Sequence, residues 1–340
     1  MTFPADTELG RTLQRFVDWA RAQGWRYTCL PYQLAELHRF LEHRGTTELA
    51  AVDTALLLDF TRHLQATRSP ATVIGYRSAL RALWRYLLRE ELVPEDVTQR
   101  LPAVRADHFL PYRYEARELA HLDQAAGAAI RQARGEVARD RCRLRWTAFG
   151  LLRDAGLRVS EACHLDLEHF DRRAHTLTIE CTKFFKTRVI PLPRSTCERL
   201  ERYLALRPEV SGPASDPQAF FRSGTGRRIE RTALEVAWKT LLTKQGRYHP
   251  RRREGRTVFG SSNLHALRHA FAVRTLERWQ SAGRDVELLM PLLSAYLGHA
   301  QVSYTATYLH LSPRLRELAS RRLGDLVLPV LDHRSHLDDE

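Results

Sequence analysis

Three histidines, an arginine and a tyrosine in the last third of the chain could together carry out chemistry on a phosphate. His265, Arg268 and His269 fall within about one helical turn. His299 follows, and Tyr308 comes nine residues after it. A tyrosine hydroxyl titrates near pH ~10, so it is a poor nucleophile unless cations surround its target. Because the planar guanidinium of arginine matches two phosphate oxygens at once, the cluster predicts phosphoryl transfer to a tyrosine.

The middle of the chain offers a second group of charged residues. Arg158 precedes Glu161 by three residues, so the spacing predicts that both lie on one face of a helix. Two short β-type runs at 176–179 and 187–191 predict a hairpin, with Lys183 near its tip.

The order of these residues resembles the tyrosine recombinase (phage integrase) family. Its signature is a Gly-Leu-Arg-x-Ser-Glu helix, a hairpin lysine, His-x-x-Arg-His, Leu-Gly-His and a tyrosine nine residues later. Every element is present here in that order, between Gly156 and Tyr308. The resemblance implies a site-specific DNA recombinase or integrase that cleaves and rejoins DNA through a 3′-phosphotyrosine, without ATP, metal or any other cofactor.

The resemblance also implies roles for the tyrosine and the arginines. Tyr308 is the expected nucleophile, with Tyr304 one helical turn earlier as its nearest rival. Arg158 and Arg268 are expected to grip the non-bridging oxygens of the scissile phosphate. Glu161 is expected to orient Arg158.

The remaining matched residues are expected to move protons or bind the phosphate. Lys183 would protonate the departing 5′ oxygen, with Lys186 as a plausible substitute. His265 would hydrogen-bond the phosphate and accept the tyrosine proton, and His299 would donate a hydrogen bond to the same phosphate. His269 is expected to be mainly structural, and we expect no metal although it lies four residues after His265.

Composition agrees with a nucleic-acid partner. The 53 lysines and arginines exceed the 40 acidic residues, which gives a net charge of +13. No apolar run approaches the roughly 18 residues of a membrane span, and the amino terminus lacks the features of a secretory signal. Five cysteines without a Cys-x-x-Cys pair favour a reducing cytoplasm. We therefore expect a cytoplasmic, nucleoid-associated protein.

The chain is expected to be mainly α-helical, with a small β-hairpin or sheet and two domains. Four apolar sets at helical spacing near the amino terminus predict a bundle, and the resemblance implies a SAM-like core-binding domain there and a catalytic domain after it. We expect the following divisions: helical domain 1–103, linker 104–111, catalytic domain 112–325, tail 326–340.

Two basic segments are candidates for contact with DNA, although a solvated surface is the alternative for both. The first is a set of arginines spaced four residues apart on the fourth helix: Arg77, Arg81, Arg85 and Arg89. The second is a basic loop: Arg251, Arg252 and Arg253.

Other readings stay open at this point. One is an Xer-type recombinase that resolves chromosome dimers, and another is a non-catalytic DNA-binding relative. A metal-dependent nuclease and a topoisomerase-like activity are further alternatives. Family resemblance implies a homotetramer on DNA, or one with related subunits, with the apolar segment 312–323 docking on a neighbour or packing within its own chain. The segment 281–287 is either a loop extension or a partner contact.

Overall fold

A computed structural model describes residues 3–4, 6–25, 29–180, 187–209, 215–299 and 301–311. Contacts between Cα atoms divide the chain after His108 into an amino-terminal and a carboxyl-terminal unit. Helices dominate the described ranges, which also hold two small three-stranded sheets. The prediction of a mainly α-helical chain with a small β component is confirmed.

The amino-terminal unit is built on helices whose apolar faces meet in one core. The apolar residues at helical spacing that predicted each helix are buried there, apart from Phe40 and Leu56, which are half-buried. Ser69 caps the start of the fourth helix, because its hydroxyl accepts a hydrogen bond from the Thr72 N–H and Pro70 follows at the first turn. The helices are α1 Glu8–Ala22, α2 Leu30–His43, α3 Thr54–Thr67 and α4 Pro70–Arg89.

The expected arginine stripe on α4 does not include Arg77. This residue is 5 % exposed, and its guanidinium donates to the carbonyl oxygens of Leu101, at 2.8 Å, and Pro102. Each step of four residues goes about 40° beyond a full helical turn, so the four arginines do not stay on one face of the helix and Arg77 falls on the buried side. Arg81 and Arg85 remain exposed. The prediction that Arg77 faces DNA was therefore wrong.

The carboxyl-terminal unit packs its helices around α6. This helix contacts α5, α8, α9 and α10, and Ala148, Leu151 and Leu152 on it are fully buried. The helices are α5 Ala116–Gln132, α6 Glu136–Ala155, α7 Val159–Cys163, α8 Arg194–Leu206, α9 Arg231–Lys244, α10 Leu264–Ser281, α11 Val286–Leu297 and α12 Ser303–Ala306. Within 281–287, Asp285 caps α11 by accepting from the Glu287 N–H at 3.0 Å.

Both sheets are small and flank the helices. One has the strand order β1-β6-β5 and the other has the order β2-β3-β4. In the second sheet Leu177 pairs with Ile190, and both side chains are buried, which fixes the register of the predicted hairpin. Lys183 and Lys186 lie outside the described residues. The strands are β1 His108–Leu110, β2 Phe170–Asp171, β3 Thr176–Ile179, β4 Arg188–Pro191, β5 Arg252–Glu254 and β6 Thr257–Phe259.

Among the described helices, none combines the length and the apolar composition that crossing a membrane requires.

Candidate active site

Two glycines in the left-handed conformation end the helices that frame the site. Gly156 follows α6 with φ of 60°, and Gly298 follows α11 with φ of 67°. A side chain at Gly156 would come within 2.5 Å of Phe271, and one at Gly298 within 2.8 Å of the Arg188 guanidinium. Only glycine satisfies both the backbone conformation and the close approach.

The carbonyl groups at these two helix ends hold the two central arginines. Arg268, 1 % exposed, donates to Gly156 O at 2.9 Å and to Leu297 O. Arg158 donates from Nη2 to Gly298 O at 2.9 Å. Helix-end carbonyls lack partners inside their own helix and carry partial negative charge, so they stabilise buried guanidiniums. Since a guanidinium has five N–H donors, these bonds fix its orientation without using its whole capacity.

Glu161 is the acid that organises this group, and it has a partner that the sequence did not reveal. It accepts from Arg158 Nη1 at 2.6 Å and from the Arg158 backbone N–H at 2.9 Å. Arg188, at the start of β4, donates to both Glu161 oxygens at 3.2 and 2.9 Å, and its Nε donates to Tyr296 O at 2.8 Å. Burial alone would raise the pKa of Glu161, but the hydrogen bond and charge of Arg188, with the charge of Arg158, hold it below its usual value.

Arg188 therefore links three pieces of the site. It joins β4, the carboxylate of Glu161 on α7 and the end of α11 that leads to His299. Its presence in the run 187–191 was visible in the sequence, but an arginine in a strand carries no local sign of such a contact.

Tyr308 lies beside two histidines and is 4 % exposed. Its hydroxyl is 3.2 Å from His269 Nδ1, which is hydrogen-bond distance. The His299 ring stacks along the Tyr308 ring, with centroids 6.2 Å apart. Thr305 holds His299 Nδ1 at 2.8 Å. The tyrosine is thus fixed between groups from α10 and from the turn after α11.

The histidines of the site are held neutral. Burial, helped by the charges of His265 and Arg268, lowers the pKa of His269 to about 3. Burial and the same arginine lower the pKa of His299 to about 4. The pKa of His265 is lowered by the surrounding protein and by Arg268, although part of its side chain reaches solvent. Burial raises the pKa of Tyr308, and the arginines oppose that shift.

Most of the predicted site residues come together here. The described residues among them are Arg158, Glu161, His265, Arg268, His269, His299 and Tyr308. His265 was expected to take the tyrosine proton, and the nitrogen within hydrogen-bond distance of the Tyr308 hydroxyl belongs to His269. Of the rival tyrosines, Tyr304 is 56 % exposed and Tyr296 stacks on Phe271.

The candidate DNA-contacting arginines differ in their contacts with aromatic and acidic side chains of the protein itself. Arg89 stacks over Trp19 at 4.4 Å and pairs with Glu90 at 2.8 Å. Arg252 lies over Phe259 at 4.4 Å and also pairs with an acid, Glu254. Further along this basic loop, Arg251 lies 6.0 Å from the Phe109 ring centre and Arg253 is exposed.

One cluster of potential metal ligands exists among the described residues. It consists of Asp166, Glu168 and His169. Arg228 pairs with Asp166, and His169 Nδ1 accepts the Asp166 backbone N–H at 2.9 Å. Protein groups therefore already engage an oxygen of Asp166 and the Nδ1 of His169.

Comparison with known proteins identifies the family of this chain. The model of the phage integrase family matches residues 124–314. A putative integrase/recombinase, y4rB, of Sinorhizobium fredii is 32 % identical over 92 % of this chain and 96 % of its own length. Tyrosine recombinase XerC of Herpetosiphon aurantiacus is 28 % identical over 82 % of each chain.

Solved structures show the same fold. The Tn1549 transposon integrase in complex with a circular intermediate DNA has a TM-score of 0.65 and 16 % identity, covering 92 % of this chain and 99 % of that one. XerH bound to its difH substrate has a TM-score of 0.60 and 20 % identity, covering 85 % and 76 %. The chain belongs to the phage integrase family and is a tyrosine-type DNA recombinase. The two-domain fold expected from the sequence is confirmed.

Proposed function

We propose that this protein cuts and rejoins duplex DNA at specific sites through a 3′-phosphotyrosine on Tyr308, in integration, excision or transposition, without ATP, metal or another cofactor. One observation supports this above the others: the Tyr308 hydroxyl lies among neutral histidines, beside two guanidiniums held by helix-end carbonyls. A scissile phosphate placed there would meet cations aimed at the charge that gathers during attack.

Each residue of the site has a role in the proposed cleavage. Arg158 and Arg268 bind the non-bridging oxygens, and His265 and His299 donate hydrogen bonds to the same phosphate. Lys183, which lies outside the described residues, protonates the departing 5′ oxygen. The covalent bond to tyrosine conserves the energy of the phosphodiester, so the released hydroxyl can reverse the attack.

The partner is double-stranded DNA bearing specific recombination sites, and the active form is a homotetramer on that DNA, or one with related subunits. Exposed Arg81 and Arg85 of α4 and the loop with Arg251 to Arg253 supply phosphate contacts. A further support for assembly is an apolar strip on α11, where Leu288 is 78 % and Leu292 61 % exposed. It adjoins a cavity of about 760 Å³ that can receive an apolar segment. The expected docking segment, 312–323, lies outside the described residues.

We keep the division into a helical DNA-binding domain 1–103, a linker 104–111, a catalytic domain 112–325 and a tail 326–340. We propose that the protein acts in the cytoplasm at the nucleoid, where its DNA substrate would lie. Chromosome-dimer resolution is the second candidate role, favoured by the similarity to XerC.

The test is incubation with nicked suicide substrates that carry candidate attachment sites, with a chelator present. A denaturant-resistant protein–DNA adduct would support the proposal. Bound DNA that never forms an adduct would contradict it, and dependence on a divalent metal would favour a nuclease.

A further inference from the structure

We infer that His269 is the catalytic base that takes the proton of Tyr308 during cleavage and returns it during rejoining. The inference rests on the proposed function and assigns one of its proton transfers. The proton acceptor is His269 Nδ1, which lies 3.2 Å from the Tyr308 hydroxyl oxygen. A base must be within hydrogen-bond reach of the proton that it removes, and this nitrogen meets that requirement.

The surroundings leave few other acceptors for that proton. Tyr308 is 4 % exposed, so bulk water has little access to its hydroxyl. His265 stands edge-on to His269, with ring centres 4.7 Å apart and part of its side chain open to solvent. That position suits His265 for an incoming phosphate, while His269 occupies the place next to the nucleophile.

The charge around His269 makes this base responsive to DNA. The titratable or charged groups facing it are His265 and Arg268 of its own helix, His299 after α11, and Tyr308. Without DNA, burial and the positive charge of Arg268 keep His269 neutral, so a ring nitrogen is available to accept a proton. A bound phosphate adds negative charge beside Arg268 and raises the basicity of His269. The tyrosine therefore stays protonated until DNA arrives.

The step balances in protons and electrons. The O–H bond of Tyr308 breaks as an N–H bond forms on His269 Nδ1, and the freed electron pair of the oxygen forms the bond to phosphorus. The bond from phosphorus to the 5′ oxygen breaks, and that oxygen takes its proton from the acid assigned to Lys183. In rejoining, the 5′ hydroxyl attacks phosphorus and His269 gives its proton back to the departing Tyr308 oxygen.

His269→Asn tests the inference, because asparagine keeps a hydrogen-bonding atom near the Nδ1 position and cannot take a proton. Single-turnover adduct formation on suicide DNA would be measured from about pH 6 to about pH 10, with DNA affinity measured in parallel. We expect a rate loss on the order of 10² to 10³ near neutral pH, with unchanged DNA affinity. The variant rate should rise about tenfold per pH unit as hydroxide replaces the base.

His121→Asn is the matched control, since His121 lies on α5, where it contacts Gln245. It should cleave like the wild type. His269→Gln provides a second variant should the asparagine protein lose DNA binding. A substrate with sulfur at the 5′ bridging position needs no proton on its leaving group, so it should rescue loss of Lys183 but not loss of His269.

Two results would overturn the inference alone: wild-type cleavage rates in both His269 variants, or a reduced rate whose pH profile matches the wild type. In either case the adduct would still form in the wild type and vanish in Tyr308→Phe. Absence of any wild-type adduct on specifically bound DNA would instead overturn the proposed function, and the inference with it.

Discussion

Arg188 and Glu161 face each other through paired hydrogen bonds, Nη1 to Oε1 at 3.2 Å and Nη2 to Oε2 at 2.9 Å. Their side chains are 11 % and 6 % exposed, so this is an ion pair largely removed from water. Glu161 also holds Arg158 at 2.6 Å, so the orientation of Arg158, which we propose binds the scissile phosphate, depends on this ion pair.

Replacing Arg188 by glutamine should therefore damage both stability and cleavage. Removing one member of a buried pair leaves the other charge unsatisfied, which costs about 3 kcal/mol. We expect the free energy of unfolding to fall by that amount and the cleavage rate to fall at least about tenfold as Arg158 loses its fixed orientation. Urea unfolding and single-turnover cleavage measure the two effects.

Arg194→Gln is the control for that substitution. Arg194 is 84 % exposed and pairs with Glu198 one turn along α8. Loss of such a pair should change stability by no more than about 0.5 kcal/mol and leave cleavage unchanged. Equal effects of the two glutamine variants would contradict the role given to Arg188.

Gly298→Ala should slow cleavage more than its backbone strain explains. Gly283 has nearly the same φ, 66° against 67°, but a methyl group there meets no atom within 4 Å. Both alanine variants should lose about 1–2 kcal/mol of stability from the left-handed conformation. Only Gly298→Ala should also push the Arg188 guanidinium aside and slow adduct formation. Similar cleavage by the two variants would show that the close packing is unimportant.

Stability should fall as the solution is acidified below neutral pH. In the folded protein the pKa of His269 is about 3 and that of His299 about 4, against an ordinary value of 6.5. The unfolded chain therefore binds more protons between these values, so the free energy of unfolding decreases as pH falls from 6.5 toward the folded-state pKa. Urea unfolding at several pH values should show this slope, and His269→Asn should reduce it. An unchanged slope in that variant would refute the neutral buried state of His269.

The arginines of α4 should separate into one that stabilises the fold and others that contact DNA. Arg77→Gln should cost about 2–3 kcal/mol, because the buried guanidinium is lost and the carbonyl groups of Leu101 and Pro102 lose a charged donor. Arg81→Gln should leave stability unchanged, weaken DNA binding and reduce the slope of log affinity against log salt by about one. Thermal unfolding measures the change in stability of each variant, and DNA binding at several salt concentrations measures the change in phosphate contacts. A salt slope altered by Arg77→Gln but not by Arg81→Gln would reverse the assignment.

The sequence was most informative where short-range rules apply. Apolar spacing placed α1 to α4, and the Ser69-Pro70 start of α4 followed from capping chemistry alone. The family signature brought together Arg158, Arg268 and Tyr308, which are far apart in the chain.

What the sequence could not predict depends on where distant segments meet. The contact of Arg188 with Glu161 joins a strand to a helix 27 residues away, and that of His269 with Tyr308 spans 39 residues. Arg77 was misplaced for a local reason, since a four-residue repeat drifts by about 120° over three steps and cannot stay on one face.

The most direct test of the account is to find which residue carries the DNA after cleavage. Adduct formed on a suicide substrate would be digested with protease and nuclease, and the peptide bearing the nucleotide remnant sequenced by mass spectrometry. We predict a phosphodiester on Tyr308. It should be absent in the Tyr308→Phe variant and unaffected in the Tyr304→Phe variant; Tyr304 is 56 % exposed. A remnant on Tyr304 or any other residue, or an adduct that persists in Tyr308→Phe, would contradict it.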